Sequence, residues 1–279
     1  MNSKPVPTPI VKTTNLHQND SNAYQDPVAY RRLVGRLLYL TNTRPYINYV
    51  APQLSQLMAN PTTAYFKTMT RVLRYIKGSP GQRLFYGTSS YLQLKAFSDY
   101  DWASCIDSRK SITCLYVFLG NSLVSWKSKK QNTLARSSLE AEYKALAATS
   151  CEIQWLTYML DNFRIPFKRP APLYCDNDPA RPIAANSVFH ERTKHIDIDC
   201  HVVKEHIQSN MFHLLPIKTT QQCADILTKA LDPSPFIFLL SKLGVINIYS
   251  PACGGGGYWS QVIMLIINSH RILDQTRLR

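Results

Sequence analysis

The sequence predicts an α/β protein, with a mixed five-stranded sheet flanked by helices and a small helical region before it. Three observations carry that expectation. Between Pro27 and Lys77 apolar residues recur at spacings of three and four, the period of an amphipathic helix. From Leu92 the period drops to two: Leu92, Leu94 and Ala96 alternate with Gln93 and Lys95, as in a half-buried strand. The order that follows, three strands, helix, strand, helices, strand, helix, is that of an α/β fold with a mixed sheet.

Taken in chain order, residues 1–25 are polar, proline-bearing and aperiodic, and read as a flexible tail. Residues 26–90 form the helical region, in three segments: VAYRRLVGRLLYLTNT, YINYVAPQLSQLMANP and YFKTMTRVLRYIKG. The third carries Phe66, Met69, Val72, Leu73 and Ile76 on one stripe, and Gly78 stops it. Lys67, Arg71, Arg74 and Lys77 lie mostly off that stripe, either as a solvated face or as one that tracks phosphates. Residues 91–248 carry the sheet. Strands are expected at 92–98, 111–120 and 122–130, with Gly120-Asn121 as the hairpin turn between the last two. A long helix is expected over 137–162, a short strand at 172–176, a helix in ERTKHIDIDCHVVKEHIQ, a strand in MFHLLPI and a final helix in QQCADILTKAL. Residues 249–279 form an irregular tail broken by four consecutive glycines.

Charge and cysteine usage narrow the function classes. The 279 residues carry a formal net charge of +14, which favours a polyanionic partner, most simply nucleic acid. The 7 cysteines are scattered and form no Cys-x-x-Cys pair. That argues for free thiols in a reducing compartment, against a disulfide framework and against a zinc ribbon. The N-terminus MNSKPVPTPI lacks the apolar stretch of a signal peptide. The longest late apolar run, VIMLII, falls far short of the ~20 residues a bilayer span needs. The expectation is a soluble protein, cytoplasmic or nuclear, with no membrane partner.

The acids raise the functional question. In extended chain Asp99 and Asp101 of FSDYDW point the same way, either as turn residues or toward a cation. Ser137 followed by Glu140 fits a helix capping box, which gives Glu140 a structural task. Glu142 lacks one. On a helical wheel it lies within or at the edge of the stripe of Leu139, Leu146 and Ile153, with Glu140 nearly opposite. A carboxylate on a buried stripe is costly unless paired or metal-bound. Asp176 ends a strand, where the sites of open α/β sheets gather. If that strand runs beside and parallel to the strand of Asp99, the two acids meet there. The helix of Glu142 can reach the same spot, and Asp225, early in the last helix, can add a fourth. Four converging carboxylates repel one another unless divalent cations are present, and an all-oxygen set suits magnesium. Two such ions ~3.5–4 Å apart activate a water and stabilise the leaving oxygen in phosphodiester hydrolysis. Singly, each acid also has a structural reading: Asp99 and Asp176 as turn residues, Asp225 as a helix-start acid. The joint pattern is what points to chemistry.

FSDYDWASCIDSRKS, VSWKSKKQNTLARSSLEAEYKALA, YCDND, FHERTKHIDIDCHVVKEHI and ADILTKAL, in that order, closely resemble the ribonuclease H domain ending the Pol polyprotein of copia-type LTR retrotransposons. The helical segments of residues 26–90 resemble the reverse transcriptase thumb and connection of the same polyproteins. The likeness covers roughly residues 25–255. It implies a ribonuclease H-like fold that cleaves the RNA strand of RNA:DNA hybrids with two Mg2+ ions, Mn2+ being a substitute. Position by position, it implies Asp99, Glu142, Asp176 and Asp225 as the catalytic, metal-holding carboxylates. Asp101 and Glu140 are then neighbours, Asp101 facing water or capping the turn. Lys127, Lys129, Lys130, Arg136 and His195 are the expected nucleic-acid contacts, with cations on the phosphates of a hybrid read by shape. His195 can equally assist product release or the attacking water, or satisfy a backbone partner. Trp126 is expected to pack rather than stack. The implied partner is an RNA:DNA hybrid, with other Pol segments as further candidates. The chain holds no Tyr-x-Asp-Asp, the polymerase carboxylate pair, so no DNA synthesis is expected of it alone. Pro179 and Pro182 stand where the family has an uninterrupted helix, Tyr46 where it has an acid, and the stretch after Gly257 matches nothing in it. These departures keep a second function class open: a catalytically dead, nucleic-acid-binding remnant of the polyprotein.

Overall fold

The computed structural model of the chain describes residues 3–14, 16–18, 21–87, 91–176 and 197–249. Asp26 accepts a hydrogen bond from the Ala29 amide and Pro27 sits in the first turn, so helix α1 (Pro27–Leu40) starts where the sequence pattern turns helical. The second expected helical segment is divided. It becomes a 3-10 turn at Pro45–Ile47 and a short helix α2 (Val50–Ser55). Thr62 caps α3 (Thr63–Gly78), whose fully covered stripe is Tyr65, Thr68, Met69, Val72 and Tyr75. Phe66, Leu73 and Ile76 of the expected stripe flank it and pack half-buried against the same core.

Three of the four α3 cations bond within the chain. Arg71 donates to the Thr8 hydroxyl at 3.0 Å, Arg74 to the Lys4 carbonyl at 2.7 Å and Lys77 to the Ser3 carbonyl at 3.1 Å. They hold the chain's own N-terminal segment, in which Thr8, Pro9 and Ile10 are buried. Gly78 permits this, because a Cβ there would lie 2.8 Å from the Pro5 Cβ.

Among the described residues seven strands follow. A short β1 (Gln82–Leu84) pairs antiparallel with β7 (Val245–Asn247), a ribbon the sequence pattern does not announce. The main sheet contains β2 (Leu94–Asp101), β3 (Ile112–Leu119), β4 (Ser122–Lys130), β5 (Ala171–Cys175) and β6 (Phe212–Pro216). Their order is β4-β3-β2-β5-β6, with the β2, β3 and β4 neighbours antiparallel and β5 and β6 parallel to β2. This is the expected mixed five-stranded α/β sheet. The hairpin turn at Gly120-Asn121 is as expected, with Gly120 at φ 61°. The first strand runs longer than its apolar alternation, through Asp99 to Asp101.

Among the described residues the helices that follow are α4 (Ser138–Asn162), α5 (Asp197–Gln208), α6 (Asp225–Thr228) and α7 (Pro233–Lys242). The final helix expected in QQCADILTKAL is therefore only the single turn α6. Lys229 leaves it in an extended conformation, φ −130° and ψ 145°. The chain then re-enters helix at Pro233, whose fixed φ suits a first turn. The prolines Pro179 and Pro182 and the tail beyond Tyr249 lie outside the described residues.

Both sheet faces are covered. Cys114, Tyr116 and Phe118 of β3 face one side, packed with Val34, Leu54 and Met69 of the helical region and with Leu227 and Phe236 beyond the sheet. Leu115, Val117 and Leu119 face the other, packed with Tyr143, Leu146 and Ile153 of α4 and with Phe212 of β6. Period-two alternation along a strand covered on both sides explains why all eight residues of β3 are buried. Each large apolar side chain removed from water contributes about 1.5–3 kcal/mol. Among the described residues no helix is long and apolar enough to cross a membrane.

Candidate carboxylate site

β2 and β5 are parallel neighbours, with Ala96 opposite Leu173 and Phe97 opposite Tyr174. Continuing that register by two residues brings Asp176, just past the end of β5, beside Asp99. From the other side α6 presents Asp225, whose turn packs on β2 and β3. Asp99 is only 3% exposed. Its Oδ2 accepts a hydrogen bond from the Thr228 hydroxyl at 2.6 Å. The Lys229 Nζ lies 2.7 Å from Asp225 Oδ1 and 3.9 Å from Asp99 Oδ2.

Burial drives the Asp99 carboxyl well above its usual range. Lys229 and the Thr228 hydrogen bond oppose that rise, while Asp225 and Asp176 add to it. Asp225 is raised in the same way, by burial first, with Lys229 opposing and Asp176 adding. Burial works against the charge on Lys229, but Asp99 and Asp225 outweigh it and hold the ammonium above its usual value. Asp99, Asp176 and Asp225 thus feel one another. Asp101, on the same strand face as Asp99, is half-buried, its carboxyl is raised by burial, and its carbonyl accepts from the Ser104 hydroxyl in the turn that follows.

Glu142 is completely buried in the first turns of α4. Its Oε1 accepts from the Cys175 thiol at 3.0 Å, so it sits at the end of β5 on the α4 face of the sheet, opposite the face of Asp99, and, against expectation, does not join the other three acids. The helical wheel places Glu140 on an opposite, outward face, yet it too is buried, at 5% exposure. Its carboxylate accepts from the Arg136 amide at 2.7 Å and pairs with Lys144 at 2.7 Å, while its amide donates to the Ser137 hydroxyl. The cap is therefore built as expected in outline, with the return bond reaching Arg136 rather than Ser137.

Strand alternation divides the expected nucleic-acid contacts. Lys127 and Lys129 pair with Leu115 and Thr113 and share the α4 face of β4. Lys130 is on the other face, where it donates to Gln56 at 3.1 Å. Lys129 and Arg136 are exposed, whereas Lys127 and Lys130 are half-buried. Trp126 packs against the core and donates to the Thr41 carbonyl at 2.9 Å. His195 lies outside the described residues.

The donor set is hard oxygen, as a Mg2+ or Mn2+ ion requires, and Asp99, Asp225 and Asp176 are the residues that would hold it. As arranged here, the positive charge between Asp99 and Asp225 is the Lys229 ammonium. Among the described residues no group of three or more His, Cys, Asp or Glu is gathered to hold a metal ion. Thr228 and Lys229 escape a reading that seeks acids alone. Their signal was present in ADILTKAL, since residues three and four beyond Asp225 share its side of a helical turn.

The fold and site define an α/β protein with an acidic, oxygen-lined site at the carboxyl end of a parallel strand pair. The chain is 40% identical over 255 residues to the retrovirus-related Pol polyprotein from transposon RE2 of Arabidopsis thaliana, covering 91% of the chain and 17% of that protein. It is 41% identical over 246 residues to the Pol polyprotein from transposon RE1 of the same plant, 88% of the chain and 17% of the relative. With the Pol polyprotein from transposon TNT 1-94 of Nicotiana tabacum it shares 35% over 252 residues, 88% of the chain and 19% of the relative. Over about nine-tenths of its length the chain is thus homologous to a part of copia-type retrotransposon Pol polyproteins. It spans less than a fifth of the length of these relatives. No protein-family model matches it.

Proposed function

We propose that this chain is a retrotransposon-derived ribonuclease H that hydrolyses the RNA strand of RNA:DNA hybrids. The observation that carries this reading is that Asp99 and Asp225 share Lys229 and both feel Asp176, the register neighbour of Asp99 at the end of β5, while Glu142 stands on the α4 face bonded to Cys175. A mixed five-stranded α/β sheet flanked by helices is compatible with a ribonuclease H-like fold. Two divalent ions, Mg2+ or in its place Mn2+, supply an activated water and stabilise the leaving oxygen when bound. The chain's own contribution is to hold the acids ready. Thr228 fixes one oxygen of Asp99, burial keeps bulk water from Asp99 and Glu142, and Cys175 orients Glu142. The substrate is bound through cations on its phosphates, Lys129 and Arg136 being the exposed ones near the start of α4. Other Pol segments are further candidate partners.

The test is incubation of the purified chain with a labelled RNA:DNA hybrid and Mg2+, beside Asp99→Asn. The expected outcome is Mg2+-dependent cutting of the RNA strand alone, lost by at least a hundredfold in the variant, in line with removal of a central electrostatic group. Salt-sensitive binding of the hybrid without cutting would replace this reading with that of a non-catalytic nucleic-acid-binding remnant.

A further inference from the structure

We propose that Lys229 is a tethered cation that occupies the carboxylate site in competition with divalent ions. The inference rests on the reading above only in taking Asp99 and Asp225 as metal-holding acids. Three observations carry it. The ammonium lies 2.7 Å from Asp225 Oδ1 and 3.9 Å from Asp99 Oδ2, and among the described residues it is the cation that forms ion pairs with both acids. The geometry of the backbone places it there: α6 ends at Thr228, and Lys229 turns extended, so its side chain reaches back over the turn toward Asp225. Finally, its side chain is 43% exposed and borders a small cavity with Tyr46, Tyr49, Ile226 and Phe236. The ammonium can therefore leave the acids without opening the core.

The charge balance then has two states. With Lys229 inward, two buried acids face one positive charge. With a divalent ion inward, the same acids face two, and the ammonium is repelled toward solvent. Each cation excludes the other, because like charges at that separation in a partly buried site repel strongly. The tethered lysine keeps the acids apart from bulk cations until a divalent ion displaces it. It also lowers the protein's apparent affinity for that ion.

The experiment uses the full chain, Lys229→Met and Lys229→Arg, with Mn2+ alone as the titrant in calorimetry at one pH and salt concentration. Methionine keeps the unbranched apolar stem and removes the charge. Lys229→Met is expected to bind Mn2+ on the order of tenfold more tightly than the natural chain. Lys229→Arg is expected to bind no more tightly than the natural chain. In the presence of a chelator Lys229→Met is expected to melt lower than the natural chain, and saturating Mn2+ is expected to close the gap. Equal Mn2+ affinity in the natural chain and Lys229→Met overturns the inference, as does absence of Mn2+ binding by both. If Lys229→Met does not fold in chelator, recovery of its fold by Mn2+ supports the inference and failure to recover overturns it. Hybrid cleavage measured on the same samples judges the nuclease reading separately: competition without cleavage retains the tethered cation and removes the nuclease.

Discussion

At the residue scale, the site combines buried acids with too little counter-charge, and that has a pH signature. The Asp99 carboxyl is raised by burial, so in metal-free protein the native state keeps a proton that the unfolded chain gives up at about 3.9. Between those two values the native state binds more protons, and stability falls as pH rises. Above the raised value the loss is complete. Asp99→Asn removes the titration while keeping an acceptor for Thr228. Its melting temperature, measured in chelator at a series of pH values upward from about 4, is expected to gain on that of the natural chain as pH rises. A natural chain that instead gains on the variant would mean that the ion pair with Lys229 outweighs burial. Asp99, Glu142, Asp176 and Asp225 were all legible as candidates, because a carboxylate on an apolar stripe or strand end stands out in one dimension. Thr228 and Lys229 carry only the weaker signal of their three- and four-residue spacing from Asp225, because a hydroxyl and a lysine are ordinary surface residues until the fold shows what they touch.

At the element scale, the start of α4 decides where Glu142 stands. Ser137 accepts from the Glu140 amide, and the Glu140 carboxylate ties back to Arg136 and across to Lys144. Ser137→Ala is expected to cost about 1 kcal/mol, read as a lower midpoint in urea with an unchanged slope. The helix itself was plain from its period and its cap. The burial of Glu140 was not, since a wheel describes one helix and says nothing of a loop laid over it. Here the Arg136 amide reaches the Glu140 carboxylate from that loop, and Lys144 bridges Glu140 to Thr133 of the same loop. The single-turn α6 was over-read for a related reason. An apolar run with helical spacing continues through Leu231, yet Asp232-Pro233 starts a new helix and the chain has to leave the old one first. The split of the β4 lysines between two faces, by contrast, follows from strand alternation alone.

At the scale of the whole molecule, the helical region and the sheet share one apolar cluster, from Tyr30 and Met69 through Tyr116 to Phe236. The antiparallel ribbon of Gln82–Leu84 with Val245–Asn247 is too short to register as a pattern in either segment, so its presence could not be read from the sequence. Gly81 is where it can be tested. A Cβ there would fall inside Asn247 Oδ1 and 2.5 Å from the Tyr249 ring, while the Gly81 carbonyl accepts from the Ile248 amide. Gly81→Ala is expected to cost about 1–3 kcal/mol and to speed amide exchange at residues 82–84 and 245–247, seen by mass spectrometry. Unchanged exchange there would show that the ribbon tolerates the methyl group. The same ribbon sets a schedule for synthesis. Gln82–Leu84 leave the ribosome long before Val245–Asn247, and everything between must be made before the two can meet. Until then the earlier strand waits with an open edge, the feature that invites pairing with a neighbouring chain. On a polysome, where sister copies grow side by side, that interval leaves the edge open to its own kind.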